Sequence, residues 1–106
     1  MSFKTETVEV EYNGQKVKVT VRELTFGEYY NLLEKHSIVD FKGTKAGMTV
    51  RLYKFIQDLT QKAIVEIEPP MFKKDDIPNL PRSIAEKISI KVLDLNPFTI
   101  AQESGS

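Results

Sequence analysis

The stretch Val8-Glu9-Val10-Glu11-Tyr12-Asn13-Gly14-Gln15-Lys16-Val17-Lys18-Val19-Thr20-Val21-Arg22 decides how this chain begins to fold. Val8, Val10 and Tyr12 alternate with Glu9 and Glu11, and Val17, Val19 and Val21 alternate with Lys16, Lys18, Thr20 and Arg22. A period of two sends the apolar set to one face of a strand and the charged set to the other. Asn13-Gly14 separates the two runs, and a type I′ turn needs positive φ at both central positions, which Asn and Gly tolerate best. The reading predicts an antiparallel hairpin over 7–22. The acidic outer face of its first strand lies beside the basic outer face of its second.

Beyond the hairpin, Leu24-Thr25-Phe26-Gly27-Glu28-Tyr29 carries a helix start. Thr25 as N-cap puts Glu28 at N3, a capping box, with Leu24 and Tyr29 placed as a hydrophobic staple. Phe26, Tyr29, Tyr30, Leu33 and His36 share one side of a helix expected over about 26–36. Residues 37–49, with Gly43 and Gly47, break the pattern. A second helix is expected over about 50–65, with Leu52, Phe55, Ile56, Leu59 and Ala63 on one arc. Pro69-Pro70 ends regular structure, because neither proline can donate to a helix. Residues 71–80 read as a loop, and Pro81 suits the first turn of a third helix over about 81–95.

Ile84, Ile88, Val92 and Leu95 form the stripe of that third helix, with Ile90 and Leu93 on roughly the opposite side. Ile88, Ile90 and Val92 also alternate as in a strand, so 87–93 stays open between the two. The Ala85-Glu86-Lys87 start favours helix. The expected fold class is α+β, an N-terminal antiparallel β-hairpin followed by three packed α-helices. It forms one domain over 1–101, with a frayed tail at 102–106. The expected core is Val19, Val21, Tyr29, Leu33, Leu52, Phe55, Ile56, Leu59, Ile84, Ile88 and Val92.

Composition narrows the chemistry. In 106 residues, 15 Lys+Arg balance 15 Asp+Glu, which removes any bulk electrostatic case for nucleic acid or an anionic membrane. No cysteine is present, which excludes disulfides, thiolate metal sites and thiol nucleophiles. Apolar runs are far too short for a membrane span, and Met1 to Glu6 has no apolar targeting segment. The expected location is the cytoplasm, the host's if the protein is viral. His36 is the lone histidine and reads as a structural residue near a helix end. Asp75-Asp76 could hold Mg²⁺ or share a proton, but it equally caps a turn and is flanked by Lys73-Lys74. The glycines of Gly43 to Thr49 have the wrong spacing for a phosphate-binding loop. The residues therefore predict no catalytic site, no metal and no cofactor.

Lys42, Lys45, Arg51 and Lys54 could form a weak phosphate patch, and a solvated helix face is the preferred reading of them. Apolar excess is the stronger clue. Ile38, Val39 and Phe41 in the loop, Met71-Phe72 after the double proline, and Ile90 with Leu93 on the third helix lie outside the tidy stripes. Exposed, they form a surface for a protein partner; tucked in, they are core. Both options stand for Ile90 and Leu93.

The run Val21-Arg22-Glu23-Leu24-Thr25 at the first helix, with Leu95-Asn96-Pro97 closing the last, resembles the small tail assembly chaperones of long-tailed bacteriophages and prophages. The resemblance spans about Val17 to Asn96. It implies a non-enzymatic partner of the tape measure protein, coating its hydrophobic helices until tail tube subunits polymerise around it. In that family a second, longer form often arises by ribosomal frameshifting. Coating a long client calls for many copies, so weak homo-oligomerisation is expected. The competing reading is a small regulatory or nucleic-acid-binding module of a virus or mobile element.

Overall fold

The Asn13-Gly14 turn takes the conformation its residue types favour, with φ of 51° at Asn13 and 78° at Gly14. The computed structural model describes residues 3–36 and 45–97, and in the second stretch side chains from Leu52 onward. Strand β1 (Thr5–Tyr12) pairs antiparallel with β2 (Gln15–Arg22) in unbroken register from Thr5↔Arg22 to Tyr12↔Gln15. Helix α1 (Phe26–Lys35) follows, and the capping box forms: the Glu28 N–H donates to Thr25 Oγ1 at 3.1 Å and the Thr25 N–H to Glu28 Oε1 at 2.9 Å. The α+β class holds, with a hairpin leading into helices.

The second helix departs from expectation at both ends. Helix α2 spans Lys45–Ala63, starting earlier and running through Gly47. It stops before Ile64, where strand β3 (Ile64–Glu68) begins. Ile64-Val65-Glu66-Ile67-Glu68 is rich in β-branched residues, which crowd a helix and suit a pleated strand. The free edge of β2 supplies the pairing, so the hairpin becomes a three-stranded sheet in the order β1-β2-β3. A two-stranded hairpin alone is marginal in water, and the third strand supplies the support it lacks. The β2–β3 register shifts at Thr20/Val21, leaving Val65 as the extra residue, 57% exposed.

After Pro70, residues 71–80 are not wholly loop. A 3-10 helix spans Lys74–Asn79, and Asp76 accepts from the Lys73 N–H at 2.9 Å, the turn-capping role open to that carboxylate pair. Helix α3 (Arg82–Leu95) settles 87–93 as helix, with Pro81 as its N-cap rather than inside its first turn.

The inner sheet face, α1, α2 and α3 bury one continuous core that includes Val8, Val10, Val17, Val19, Val21, Leu33, Phe55, Leu59, Ile88 and Val92. Leu52, Ile56 and Ile84, expected as full core, are half-buried at its margin. Leu24, Leu32, Phe72 and Ile77 join instead, and the Phe72 ring meets Tyr12 edge-on at 5.3 Å. No helix among the described residues is long and apolar enough to cross a membrane. Ile38, Val39, Phe41, the loop 37–44 and the tail 102–106 lie outside the described residues.

Candidate interaction groove

Two helix faces with the same spacing look towards one another. Tyr53, Ile56, Gln57 and Thr60 on α2 stand at i, i+3, i+4 and i+7, and Arg82, Ala85, Glu86 and Ser89 repeat that spacing on α3. Ile77, Pro78 and Leu80, from the 3-10 helix and the residue after it, close one end of a groove of about 330 Å³ between them. Its floor is apolar in effect. Thr60 is buried, but its hydroxyl donates to the Ile56 carbonyl at 2.7 Å and is satisfied within its own helix. Tyr53, 66% exposed, forms one lip. The other lip carries Arg82 and Glu86, both exposed and joined at 3.0 Å.

A second apolar surface lies at the start of α1. Phe26 is 80% exposed, although helical spacing puts it on the apolar side, and its ring centroid lies 4.5 Å from that of Tyr30. Leu24, Tyr29 and Pro97 border it. The Tyr29 hydroxyl donates to the Pro97 carbonyl at 3.2 Å, and burial raises its pKa, helped by the neighbouring Tyr30.

Two polar devices hold this region. Arg22 Nη1 and Nη2 donate to the two Glu28 oxygens, each at 3.0 Å, a bidentate pair joining β2 to α1. Hydrogen bonding from Arg22, and then from the Thr25 backbone, holds the Glu28 carboxyl at about 2. The Arg22 guanidinium is raised in turn by Glu28, against the cost of burial. The second device is Asn96, a buried polar residue whose Oδ1 accepts from the Leu24 N–H and whose Nδ2 donates to the Arg22 and Val92 carbonyls.

The comparisons with known protein families, curated proteins and solved structures give no match.

Ile90 is 61% exposed, whereas Leu93, three residues on, is half-buried against the core. His36 stands at the C-cap of α1, where its Nε2 lies 2.7 Å from Asp58 Oδ2 and ties α1 to α2. Burial pushes the Asp58 carboxyl up, but hydrogen bonds from His36 and Lys35 outweigh it and hold the carboxyl below its usual value. Among the described residues no three acidic or imidazole side chains group as a cation site. Sequence reading overlooked the groove, whose only signal was the repeated spacing of Tyr53 to Thr60 and Arg82 to Ser89. It also overlooked Arg22 as a partner of Glu28.

Proposed function

We propose that this chain is a non-enzymatic protein-binding module that receives a helical client segment between α2 and α3, working as the tail assembly chaperones it resembles do on a tape measure protein. The observation that carries this reading is the groove itself: an apolar floor of Ile56, Ile77, Leu80 and Ala85 between two parallel-spaced helix faces. Helix-in-groove recognition needs such a floor, and it reads anchors of a partner at the same i, i+3, i+4 and i+7 spacing. Burying two or three client side chains per copy contributes on the order of 3–6 kcal/mol before association entropy. That is weak for one copy and cumulative along a long client occupied by many. Weak self-association of neighbouring copies and action in the host cytoplasm belong to the same proposal.

The test is co-expression with the tape measure protein of the same tail gene cluster. The reading expects that protein to stay soluble with several copies of this chain bound, in a complex that survives high salt. Ala85→Arg, which fills the groove floor at a half-buried position, should release it while circular dichroism stays unchanged. An insoluble tape measure protein, or a complex indifferent to Ala85→Arg, would overturn the reading. Binding to nucleic acid that collapses with salt would favour the regulatory alternative. Against that alternative, the exposed sheet face alternates in sign, with Lys18 in register between Glu9 and Glu68 and Lys16 opposite Glu11.

A further inference from the structure

We propose that the free edge of β1 receives an extended protein segment bearing Lys or Arg at alternate positions, which joins the sheet as a fourth strand. This surface shares no residue with the α2–α3 groove, and the inference does not rest on the chaperone reading.

Strand β1 lies at the end of the order β1-β2-β3, so among the described residues its outer side has no ladder partner. In a two-residue hairpin the positions flanking the turn, here Tyr12 and Gln15, form a hydrogen-bonded pair, and such pairs alternate along the ladder. The Glu23 N–H donating to the Lys4 carbonyl at 2.9 Å continues the same even-numbered set at the far end. Thr5, Thr7, Glu9 and Glu11 therefore turn their N–H and C=O groups to the free edge. The edge is eight residues long, without proline, glycine or bulge. Edges of this kind are the ones that accept a further strand. The opposite edge is blunted: β3 has five residues, a register shift, and Pro69-Pro70 directly after it.

Charge names the occupant. Across the exposed sheet face, Glu9 and Glu11 of β1 stand beside Lys18 and Lys16 of β2, and Lys18 stands beside Glu68 of β3. Glu9 and Glu11 are exposed and enter no ion pair among the described residues. A basic strand continues the alternation of sign, whereas a second copy of β1 offers only threonines and further glutamates on that face and leaves Glu9 and Glu11 without a cation. Beneath β1 runs α3, whose Lys91 reaches Glu6 at 3.5 Å, so the incoming strand has a helix flank to rest its other face against.

The probe is a blocked peptide, Thr-Val-Lys-Val-Lys-Val-Thr, titrated into the full chain and followed by amide exchange in NMR. The expected result is new protection at Thr5, Thr7, Glu9 and Glu11, while the amides of Val8 and Val10 are already protected without peptide. Replacing both peptide lysines by glutamate, or N-methylating alternate peptide amides, should weaken binding by about tenfold or more. Glu9→Gln with Glu11→Gln in the protein should weaken it by about fivefold or more without altering the fold. No new protection at millimolar peptide, or equal binding of the glutamate peptide, overturns the proposal. So does a dimer of the protein alone in sedimentation with those four amides already protected, which would assign the edge to a second copy.

Discussion

The Leu24 N–H donates to Asn96 Oδ1 at 2.7 Å, across 72 residues of chain, and so joins the start of α1 to the end of α3. The same side chain donates to the Arg22 carbonyl at 3.3 Å and the Val92 carbonyl at 2.9 Å. One amide thus supplies a partner to three backbone groups at a junction that water reaches poorly, since Asn96 is 6% exposed.

Asn96→Leu keeps the branched shape with bulkier methyl groups and removes every one of those side-chain bonds. The stranded Leu24 N–H should make the change cost about 1–3 kcal/mol in a urea melt. Asn96→Asp can still accept from Leu24 but turns an oxygen towards the Val92 and Arg22 carbonyls. It should be less stable at neutral pH than in mild acid, where its carboxyl regains a donor.

The Arg22–Glu28 pair makes stability depend on acid. The Glu28 carboxyl sits at about 2 in the folded chain against an ordinary 4.5, a depressed value. Its contribution is therefore complete above about pH 4.5 and fades as pH falls towards 2. Partial exposure screens the pair and keeps the effect to about 0.5–1 kcal/mol. Glu28→Gln retains a capping side chain, so thermal melts between pH 5 and 2 should lose that part of their slope. An unchanged slope would locate the acid sensitivity elsewhere.

Leu59 is 0% exposed at the centre of the core, whereas Leu52, one face of the same helix, is only half-buried. Leu59→Ala should cost about 2–5 kcal/mol and Leu52→Ala distinctly less. Equal losses in paired urea titrations would contradict this division of α2.

Ile90 and Leu93 should part company in the same way. Ile90→Asp adds a charge at a position 61% open to water, so the melting temperature should hardly move. Leu93→Asp puts a charge against the core and should cost about 1–3 kcal/mol. Binding of a helical client by the Ile90→Asp chain, measured beside the parent, then reports whether this exposed isoleucine takes part in contact.

The local elements were legible before any tertiary information. The hairpin depends on alternation and on two turn residues, Asn13 and Gly14, and the α1 start depends on Thr25 and Glu28 three positions apart. Each of these is decided by neighbours within a few bonds, so their residue types carry the outcome. Spacing also marked Phe55 and Leu59 on α2 and Ile88 and Val92 on α3 as core, although Leu52, Ile56 and Ile84 from the same stripes stop at its margin.

Tertiary structure decided the rest. Ile64 to Glu68 could extend α2 or form a strand, and the open edge of β2 selected the strand. Leu93 and Ile90 stand on the same flank of α3 in sequence terms, yet only Leu93 meets the core. The role of Asn96 at the junction was not legible locally, because two of its three partners, Arg22 and Leu24, lie at the other end of the chain. Residue types alone set the elements whose hydrogen bonds close within themselves. The third strand, the groove between α2 and α3 and the Asn96 junction needed distant segments brought together, because their partners exist only once the chain has collapsed.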